Sequence, residues 1–438
     1  MADVLIVGGG LAGLQVAALL CGAGMKVTLL EAREVLGGRI RTLHLPDAEL
    51  PLELGAEFVH GRPPEVLSVA EAAGLALREV TGEPWFSRDG QLEPCGEFFQ
   101  QIEQIMGRLA EPRPRDRSFR EFIDECFPAE SEAKELALRY VEGFHAAQPE
   151  RIGVRGLALG EEASAQIDGD KQYWVLRGYN ALVRYLRSQS SSAEICLNTV
   201  VREVRWRPQQ VEIRALRGGE EQTFRAVRAV ITLPLGVLQA APDAPGAVRF
   251  EPELVEKRNA LRLLEMGPAL RITLRFRYRF WDPLEGGRLK NMGFLFSRDP
   301  EVPTWWAKPE GCLLTGWAGG PRGLRMSSCS EAEFTSRAVA SLARLLGVGR
   351  ATMEEHLESA HTHNWVTDPY CRGGYSYLAV GGENAPRELA APLAGTLFFA
   401  GEATEFTGHH GTVNGAMASG TRAANEILDV IGRSPESP

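Results

Sequence analysis

Residues 3–31 carry the pattern that most restricts how this chain can fold. An apolar run, Asp3-Val4-Leu5-Ile6-Val7, is followed directly by Gly8-Gly9-Gly10-Leu11-Ala12-Gly13, which matches G-x-G-x-x-G. The next residues predict a helix rich in Ala and Leu over 11–21, then a second strand over 26–30 that ends at Glu31. This order of strand, glycine turn, helix, strand and acid is typical of a dinucleotide-binding site at the edge of a parallel sheet.

Each part of this motif has a physical task in holding a dinucleotide. Gly8 permits the tight turn, Gly10 lets a pyrophosphate approach the backbone, and Gly13 lets the helix pack closely on the strand. The first turn of the helix offers free N–H groups and a partial positive charge to phosphate. Glu31 is placed where a carboxylate accepts hydrogen bonds from the adenosine ribose.

Two further segments favour FAD over NAD as the dinucleotide. Gly37-Gly38-Arg39-Ile40-Arg41 adds a glycine pair and two guanidinium groups just beyond the ribose-binding acid. Near the other end of the chain, a predicted buried strand over 395–400 leads into Gly401-Glu402, and a helix begins near Gly411. Glu402 is predicted to hold the ribityl and pyrophosphate region, and the helix N-terminus to stabilise negative charge on a reduced flavin.

Composition limits the possible partners of the chain. The 438 residues carry a net charge of −9, which argues against nucleic acid or an anionic membrane as the main partner. No apolar run approaches the ~20 residues that span a bilayer. The seven cysteines contain no C-x-x-C pair and a strand is predicted from residue 3, so we expect a soluble, cytoplasmic protein without a signal peptide. The oligomeric state stays open.

The segments between the two dinucleotide elements predict a second region of different architecture. Residues 64–150 have mainly helical patterns, whereas 195–233 are rich in predicted strands. Ala269–Phe280 alternates apolar residues with arginines, which predicts a half-exposed strand. Because no long linker separates these patterns, the chain is expected to cross several times between two interleaved domains.

Taken together, these segments resemble the flavin-containing amine oxidase family of the monoamine and polyamine oxidase type, as a soluble, bacterial-like member. The resemblance also rests on Leu54-Gly55-Ala56 through His60-Gly61, on 230–238, on Gly374-Tyr375-Ser376-Tyr377 and on 398–404. It implies an α/β fold in which an FAD-binding, Rossmann-type (doubly wound) domain is interleaved with an α+β substrate-binding domain. The implied boundaries are 1–77, 177–261 and 373–433 for the FAD domain, 78–176 and 262–372 for the substrate domain, and 434–438 for a flexible tail.

The same resemblance implies which residues contact FAD. They are Gly8, Gly10, Gly13, Glu31, Arg33, Gly38, Arg39, Gly55, Ala56, Val201, Gly401, Glu402, Thr412 and Val413. Gly374 stands where some members carry a cysteine bonded to the flavin, and Cys371 is out of register, so the FAD is expected to be non-covalent. No metal site is predicted, because neither His361-x-His363 nor His409-His410 is completed by a Cys or carboxylate cluster.

Four residues are implied to act at the reacting centre. Tyr375 stands where the family keeps an aromatic residue facing the flavin, and Thr412 stands at the position of its partner. His60 resembles the residue that polyamine oxidases place near the substrate amine. Arg271 falls on the family's lysine, which holds a water near flavin N5 and is tied to oxygen chemistry. Arginine keeps the charge, but its planar head cannot mimic an ammonium that holds one water.

The implied reaction is oxidation of a small-molecule amine, in which a hydride leaves the carbon next to nitrogen for flavin N5. The imine then hydrolyses, and reoxidation uses O2, giving H2O2, or another acceptor if Arg271 blocks that route. An apolar pocket would favour the neutral amine that gives up hydride. Candidate pocket walls are Tyr375 and Trp365, and the tryptophans Trp305, Trp306 and Trp317. An L-amino acid oxidase, a flavin desaturase and a non-catalytic FAD-binding scaffold stay open as alternatives.

Overall fold

An eight-stranded sheet joins the N-terminal, middle and C-terminal segments of the chain. The computed structural model describes residues 2–432 except positions 47, 49, 89, 97, 112, 113, 309 and 310, so the predicted flexible tail at 434–438 lies outside it. Parallel pairs connect the strands in the spatial order Glu194–Cys196, Val27–Leu30, Ala2–Val7, Glu220–Ile231 and Leu397–Phe399. Numbered along the chain this order is 3-2-1-4-5, the order of a Rossmann-type sheet.

Antiparallel pairing extends the same sheet. The strand Glu220–Ile231 is long enough to pair also with Gln210–Arg217, which pairs in turn with Thr199–Arg207, and Arg249–Glu251 lies at that edge. Helices Leu11–Gly22 and Val413–Val430 pack against each other on one face. Their backbones approach closely, since a Cβ on Gly420 would lie 2.6 Å from the carbonyl oxygen of Ala12. The two ends of the chain are therefore held together by direct packing.

A second, seven-stranded sheet forms the other large layer. Its strands, in spatial order, are Leu357–Thr362, Ala269–Phe276, Leu313–Gly319, Thr304–Ala307, Met292–Ser297, Glu83–Arg88 and Gln91–Pro94. A hydrophobic core that includes Trp85, Trp281 and Trp305 joins this sheet to the helix Glu331–Leu345. Smaller sheets pair Phe58–His60, Gln172–Val175 and Leu77–Glu79; Leu264–Gly267 with Tyr375–Leu378; and Thr42–Leu43 with Leu52–Glu53.

The remaining elements are helices, several of which cluster over the second sheet. The other helices of six or more residues are Pro64–Ala72, Phe98–Met106, Phe119–Cys126, Glu132–Phe144, Val154–Ala165, Asn180–Gln189, Arg258–Leu263, Gly320–Met326, Arg350–His356 and Ala385–Ala390. Short turns lie at Leu235–Leu238, Leu284–Gly287, Gly107–Ala110, Val255–Lys257, Arg288–Asn291 and Glu402–Thr404. Within the described ranges, no helix is both long and apolar enough to cross a bilayer.

The helices predicted within residues 64–150 are present, but the prediction assigned no element to 77–94. This stretch contains Leu77–Glu79, which joins the three-stranded sheet, and a hairpin of Glu83–Arg88 with Gln91–Pro94. The hairpin forms because Glu83–Arg88 pairs with Met292–Ser297, a partner far away in the chain, and buries Trp85. The dipeptide Asp89-Gly90 between the two runs was the local sign of a hairpin turn.

The strand predicted over Ala269–Phe280 is present, but the prediction that it is half-exposed was wrong. The strand ends at Phe276, and all its residues except Arg275 are buried. Strands pair with it on both edges, because Leu313–Gly319 lies on one side and Leu357–Thr362 on the other. The alternation of charged residues misled the prediction because Arg271 is buried against a carboxylate instead of facing solvent.

Candidate active site

One cavity of about 1410 Å³ connects the carboxyl edge of the parallel strands with the second sheet and its helices. Its wall includes every predicted site residue except Gly13: Gly8, Gly10, Glu31, Arg33, Gly38, Arg39, Gly55, Ala56, His60, Val201, Arg271, Tyr375, Gly401, Glu402, Thr412 and Val413. Residues chosen from distant segments of the sequence therefore meet around a single space. The contact that each would make with FAD stays a prediction.

The N-terminal glycine turn has the shape that a diphosphate needs. Gly8 adopts φ +112°, and a Cβ on Gly13 would lie 2.1 Å from the Gly8 carbonyl oxygen, so Gly13 serves helix packing and not the wall. A Cβ on Gly10 would meet no protein atom within 4 Å and would project into open space. The helix that follows has no side-chain cap and no acid in its first turn, which leaves its N–H groups for an anion.

Glu31 lies on the cavity wall beside the glycine turn and is held by the backbone. Its two carboxylate oxygens accept hydrogen bonds from the amides of Gly9, at 2.7 Å, and Arg33, at 2.9 Å. Burial raises the pKa of this carboxyl, although Arg33 and the two amides act in the opposite direction. Each oxygen keeps a lone pair for a ribose hydroxyl, so the geometry fits the ribose of a dinucleotide.

Arg39 and Glu402 tie the two ends of the chain together across the cavity wall. Arg39 donates to the Glu402 carboxylate and to the carbonyl oxygen of Gly374, both at 2.8 Å. The second Glu402 oxygen accepts from the Ser376 hydroxyl at 2.5 Å and from the Gly411 amide at 3.0 Å. Burial alone would raise the pKa of Glu402, but Arg39 and Ser376 lower it. Glu402 is therefore an anion that organises the wall.

Thr412 begins the C-terminal helix, and its hydroxyl is engaged with the backbone. The hydroxyl accepts from the Gly415 amide at 3.0 Å and donates to the carbonyl oxygen of His409 at 2.6 Å. With no acid in its first turn, the helix Val413–Val430 presents its positive end to the cavity. Thr412 thus contributes through the position of this helix end, because its hydroxyl has no donor left for a substrate.

Tyr375 stacks on Trp317 on the cavity wall. The two rings lie 6.3 Å apart with an interplanar angle of 9°, and the Tyr375 hydroxyl donates to the carbonyl oxygen of Phe144 at 2.5 Å. Burial raises the pKa of this phenol, so it stays neutral. Of the tryptophans named as candidate pocket walls, Trp306, Trp317 and Trp365 line the cavity. Trp305 does not line it and is a fully buried core residue.

Arg271 is locked in a buried charge network. Its guanidinium donates to the Gly55 carbonyl oxygen at 2.7 Å and to Glu57 at 2.6 Å, and it lies 5.4 Å from the Trp306 ring centroid. Lys308 places its ammonium 3.1 Å from the other Glu57 oxygen. Burial would raise the pKa of Glu57, but Lys308 and Arg271 together lower it. Only Nε of Arg271 has no partner among the described residues.

Neutral imidazoles form part of the same wall. Burial lowers the pKa of His60 to about 4, and burial together with His410 lowers that of His145 to about 3. His60 packs edge-on against Phe144, with ring centroids 5.7 Å apart. At neutral pH these rings offer lone pairs and N–H groups without charge.

Acidification from pH 7 to pH 5 is expected to destabilise the protein by about 2 kcal/mol through His60. The unfolded chain binds a proton as pH falls through the unperturbed pKa of 6.5, while the folded chain does not until about 4. The pKa of His60 is lower in the folded chain than in the unfolded chain. The stability that neutral His60 contributes above pH 6.5 is therefore lost as the pH falls from 6.5 towards 4. Urea unfolding of wild type and His60→Gln at both pH values measures the difference, with His44→Gln, at an exposed position, as the control. Equal pH dependence in wild type and His60→Gln would contradict this account.

Several wall residues were not identified from the sequence. Glu161, on the helix Val154–Ala165, and Tyr140, on Glu132–Phe144, both face the cavity. No local pattern distinguishes them from the other acids and aromatics of these helices. Within the described part of the chain, no group of three or more His, Cys, Asp or Glu side chains could hold a metal. His363 instead lies 2.7 Å from the Asp368 carboxylate.

The family of the chain follows from comparison with known proteins. A family model described as flavin containing amine oxidoreductase matches residues 11–428, so the chain belongs to that family. It is an FAD-dependent oxidoreductase of the amine oxidase type, which confirms the predicted family, enzyme class and cofactor. The Rossmann-type α/β fold is confirmed as well.

Individual relatives cover nearly all of this chain. Lysine-specific histone demethylase 1 homolog 2 of Oryza sativa subsp. japonica is 29% identical over 98% of this chain and 57% of its own length. Polyamine oxidase 3 of the same plant is 27% identical over 97% of this chain and 88% of its own length. The chain thus spans only about half the length of the demethylases that it matches.

Solved structures share the fold at low sequence identity. A putrescine oxidase, as wild type bound to putrescine, superposes with a TM-score of 0.80 over 99% of both chains at 21% identity. Cyclohexylamine oxidase from Brevibacterium oxydans IH-35A gives a TM-score of 0.79 at 19% identity, over 99% of this chain and 100% of its own.

Proposed function

We propose that this protein oxidises the carbon–nitrogen bond of a small-molecule amine with non-covalently bound FAD. The observation that supports this is the single cavity, which runs from the glycine turn and Glu31 to the stacked Tyr375 and Trp317. Bound FAD would accept the hydride that leaves the carbon next to nitrogen, and the resulting imine would hydrolyse in water. The protein itself binds, orients and desolvates the amine.

The wall selects the form of the amine that can react. An ammonium has a pKa near 10, so most substrate arrives protonated at pH 7, and aromatic surroundings disfavour that charged form. The aromatic faces of Tyr375, Trp317 and Phe144 supply such surroundings at the substrate end. His60, kept neutral by burial, can accept a hydrogen bond from the amine N–H without introducing a charge.

Non-covalent binding of FAD is supported by the residues near the family's attachment position. Gly374 donates its amide to Gly267 and offers no side chain. Cys371 is the only cysteine that lines the cavity among the described residues, and its sulfur lies 3.4 Å from the Arg33 guanidinium. Burial raises the pKa of this thiol, which disfavours the nucleophilic thiolate.

The electron acceptor is proposed to be O2, giving H2O2, or another acceptor if Arg271 slows the oxygen reaction. Two of the three guanidinium nitrogens of Arg271 are bound to Gly55 and Glu57. The side chain is therefore held in place and cannot pivot like a lysine ammonium around one water. A slow oxygen reaction with rapid turnover on an artificial acceptor would favour the second option.

The alternatives to an amine substrate have less support. An L-amino acid oxidase needs an arginine free for a carboxylate, but Arg139 and Arg322 on the cavity wall are paired with Glu135 and Glu142. A desaturase of lipids or tetrapyrroles would suit a wholly apolar cavity, whereas this one carries Glu161 and several imidazoles. A non-catalytic scaffold predicts that no amine reacts.

Anaerobic mixing of the FAD-loaded protein with amines and amino acids is the direct test. We expect loss of the flavin absorbance with at least one class of amine and not with amino acids. Reoxidation is then followed with O2 and with an artificial acceptor, and acid precipitation shows whether the yellow cofactor is released. A flavin that no amine bleaches would favour the scaffold, and colour retained in the precipitate would refute non-covalent binding.

A further inference from the structure

The guanidinium of Arg33 is held by a segment that lies far away in the chain. Arg33 lines the cavity, and its Nη2 donates to the Asp368 carboxylate at 2.7 Å and to the Cys371 sulfur at 3.4 Å. The guanidinium also lies over the rings of Trp365 and Tyr370, 5.9 Å and 5.5 Å from their centroids. Because the side chain has little exposure to solvent, these contacts fix its position.

Asp368 is itself fixed by further donors. Its Oδ1 accepts from the Tyr370 amide at 2.9 Å as well as from Arg33, and its Oδ2 lies 2.7 Å from Nε2 of His363. The Asp368 side chain is 8% exposed and does not line the cavity. Burial alone would raise the pKa of this carboxyl, but His363 and Arg33 lower it. Asp368 is therefore an anion that is paired with Arg33 behind the cavity wall.

The hydrogen bonds of His363 define its tautomer. Its Nδ1 lies 2.9 Å from the guanidinium of Arg41, which can only donate, so Nδ1 is the acceptor and Nε2 donates to Asp368. The imidazole also packs edge-on against Trp365, with ring centroids 4.2 Å apart. One chain of hydrogen bonds thus runs from the exposed Arg41 through His363 and Asp368 to the cavity wall, where it ends at Arg33.

Arg33 keeps donors that the protein itself does not use. Both hydrogens of Nη2 are occupied, whereas Nε and Nη1 have no hydrogen-bond partner among the described residues. Burial raises the pKa of Glu31, and the Arg33 charge opposes this rise, so the guanidinium lies near that carboxylate. A fixed cation with free N–H groups beside a predicted ribose acceptor suits the oxygen and nitrogen acceptors of a nucleotide.

We propose that Asp368 and His363 are positioning residues that hold Arg33 in place for the adenosine diphosphate half of bound FAD. Arg33 donates to the cofactor, and Asp368 acts through Arg33. The segment that provides Asp368 and His363 belongs to the implied substrate domain, 262–372, so both domains complete this half of the cofactor site. The proposal rests on FAD as the cofactor and is independent of which substrate is oxidised.

Two half-ligands separate effects at the two ends of the cofactor. ADP contains the adenosine half of FAD and FMN contains the flavin half, and calorimetry measures the binding of each ligand, and of FAD, to the FAD-free proteins. We expect Asp368→Asn to raise the Kd for FAD and for ADP about 10-fold, the lower end of the range for loss of a hydrogen bond to a charged group. The Kd for FMN should stay as in wild type.

Asp299→Asn is the matched control. The Asp299 side chain is likewise a buried carboxylate, 3% exposed, which accepts from Arg344 at 2.7 Å and from the amides of Glu301 and Val302. Neither Asp299 nor Arg344 lines the cavity, so this variant should bind all three ligands as wild type does. Because Asp368 acts through Arg33, adding Asp368→Asn to Arg33→Gln should cause no further loss of affinity for FAD or ADP.

A second variant covers the case in which Asp368→Asn fails to fold. His363→Gln leaves the Asp368 charge in place and removes the imidazole that connects Asp368 to Arg41. We expect a rise of about 3-fold in the Kd for FAD and ADP, the size for loss of one neutral hydrogen bond, with FMN binding unchanged. Urea unfolding of the FAD-free proteins measures the effect of each variant on folding separately.

The outcomes distinguish positioning from other roles of Asp368. A rise in the Kd for FMN as large as that for ADP would overturn the proposal, because it would indicate a general loss of structure. Unchanged or tighter binding of ADP would also overturn it, since Asp368 would then only screen the charge of Arg33. A further loss in the double variant would show that Asp368 acts without Arg33. These results are independent of amine oxidation, which anaerobic mixing tests.

Discussion

Replacing Gly10 with alanine is expected to weaken FAD binding by about 100-fold while the protein keeps its fold. Gly10 has φ −74° and ψ −178°, a conformation that alanine adopts without strain, and its Cβ would meet no protein atom within 4 Å. The added methyl group would instead occupy the space that the glycine motif leaves for the pyrophosphate. An overlap of this kind costs about 3 kcal/mol, which corresponds to two factors of ten in affinity.

Titration of the FAD-free proteins with FAD, followed by flavin fluorescence, measures this loss. Thermal unfolding without FAD should give the same midpoint for Gly10→Ala and wild type. Gly22→Ala is the matched control, because Gly22 ends the same helix, is exposed, and would also place its Cβ in open space. If Gly10→Ala bound FAD as tightly as Gly22→Ala, the assignment of this turn to the pyrophosphate would be wrong.

Replacing Glu57 with glutamine is expected to destabilise the protein by about 3 to 5 kcal/mol. The Glu57 side chain is 3% exposed and is the shared partner of Arg271, at 2.6 Å, and Lys308, at 3.1 Å. Without its charge, two cations stay buried with no carboxylate to neutralise them. The Glu57 pKa is lowered in the fold, so the stability that this carboxylate contributes is present above the unfolded pKa of about 4 and is lost as pH falls through the lower folded value.

Urea unfolding of the FAD-free proteins at neutral pH measures this effect. Glu354→Gln provides the contrast, because the Arg350–Glu354 pair is exposed by 51% and 50% at its two side chains and should contribute less than about 1 kcal/mol. Equal unfolding midpoints for the two variants would show that the network around Arg271 is not a source of stability. Destabilisation confined to Glu57→Gln would explain why an arginine is tolerated at this buried position.

The cofactor half of the cavity could be predicted because its determinants are local. A glycine turn, a helix N-terminus and an acid after the next strand follow one another within residues 8–31, and each is recognisable from residue type and spacing. The family resemblance supplied distant members of the set, such as Gly55 and Val201. All of them except Gly13 line the cavity, and Gly13 acts through packing of the helix on Gly8.

The substrate half was predicted less completely because its determinants are pairings between distant segments. Because Thr412 stands at the position of the family's second aromatic, that aromatic pair was expected to be only half present, and the stacking of Trp317, from a strand of the second sheet, on Tyr375 was not predicted. Arg271 was singled out by resemblance, whereas its partner Glu57, separated by 214 positions in the chain, was not assigned with it. No pattern in the sequence records which charged side chains will face each other once the sheets have formed.

By itself, the sequence determined the dinucleotide motif, the Rossmann-type fold class, the family and FAD as cofactor. These depend on backbone conformations and short spacings that residue types impose directly. Only the tertiary structure decided that Arg271 is neutralised, that the wall imidazoles are neutral, and that Asp368 is paired with Arg33. Those properties are set by burial and by the distances between charges, which exist only after the chain has folded.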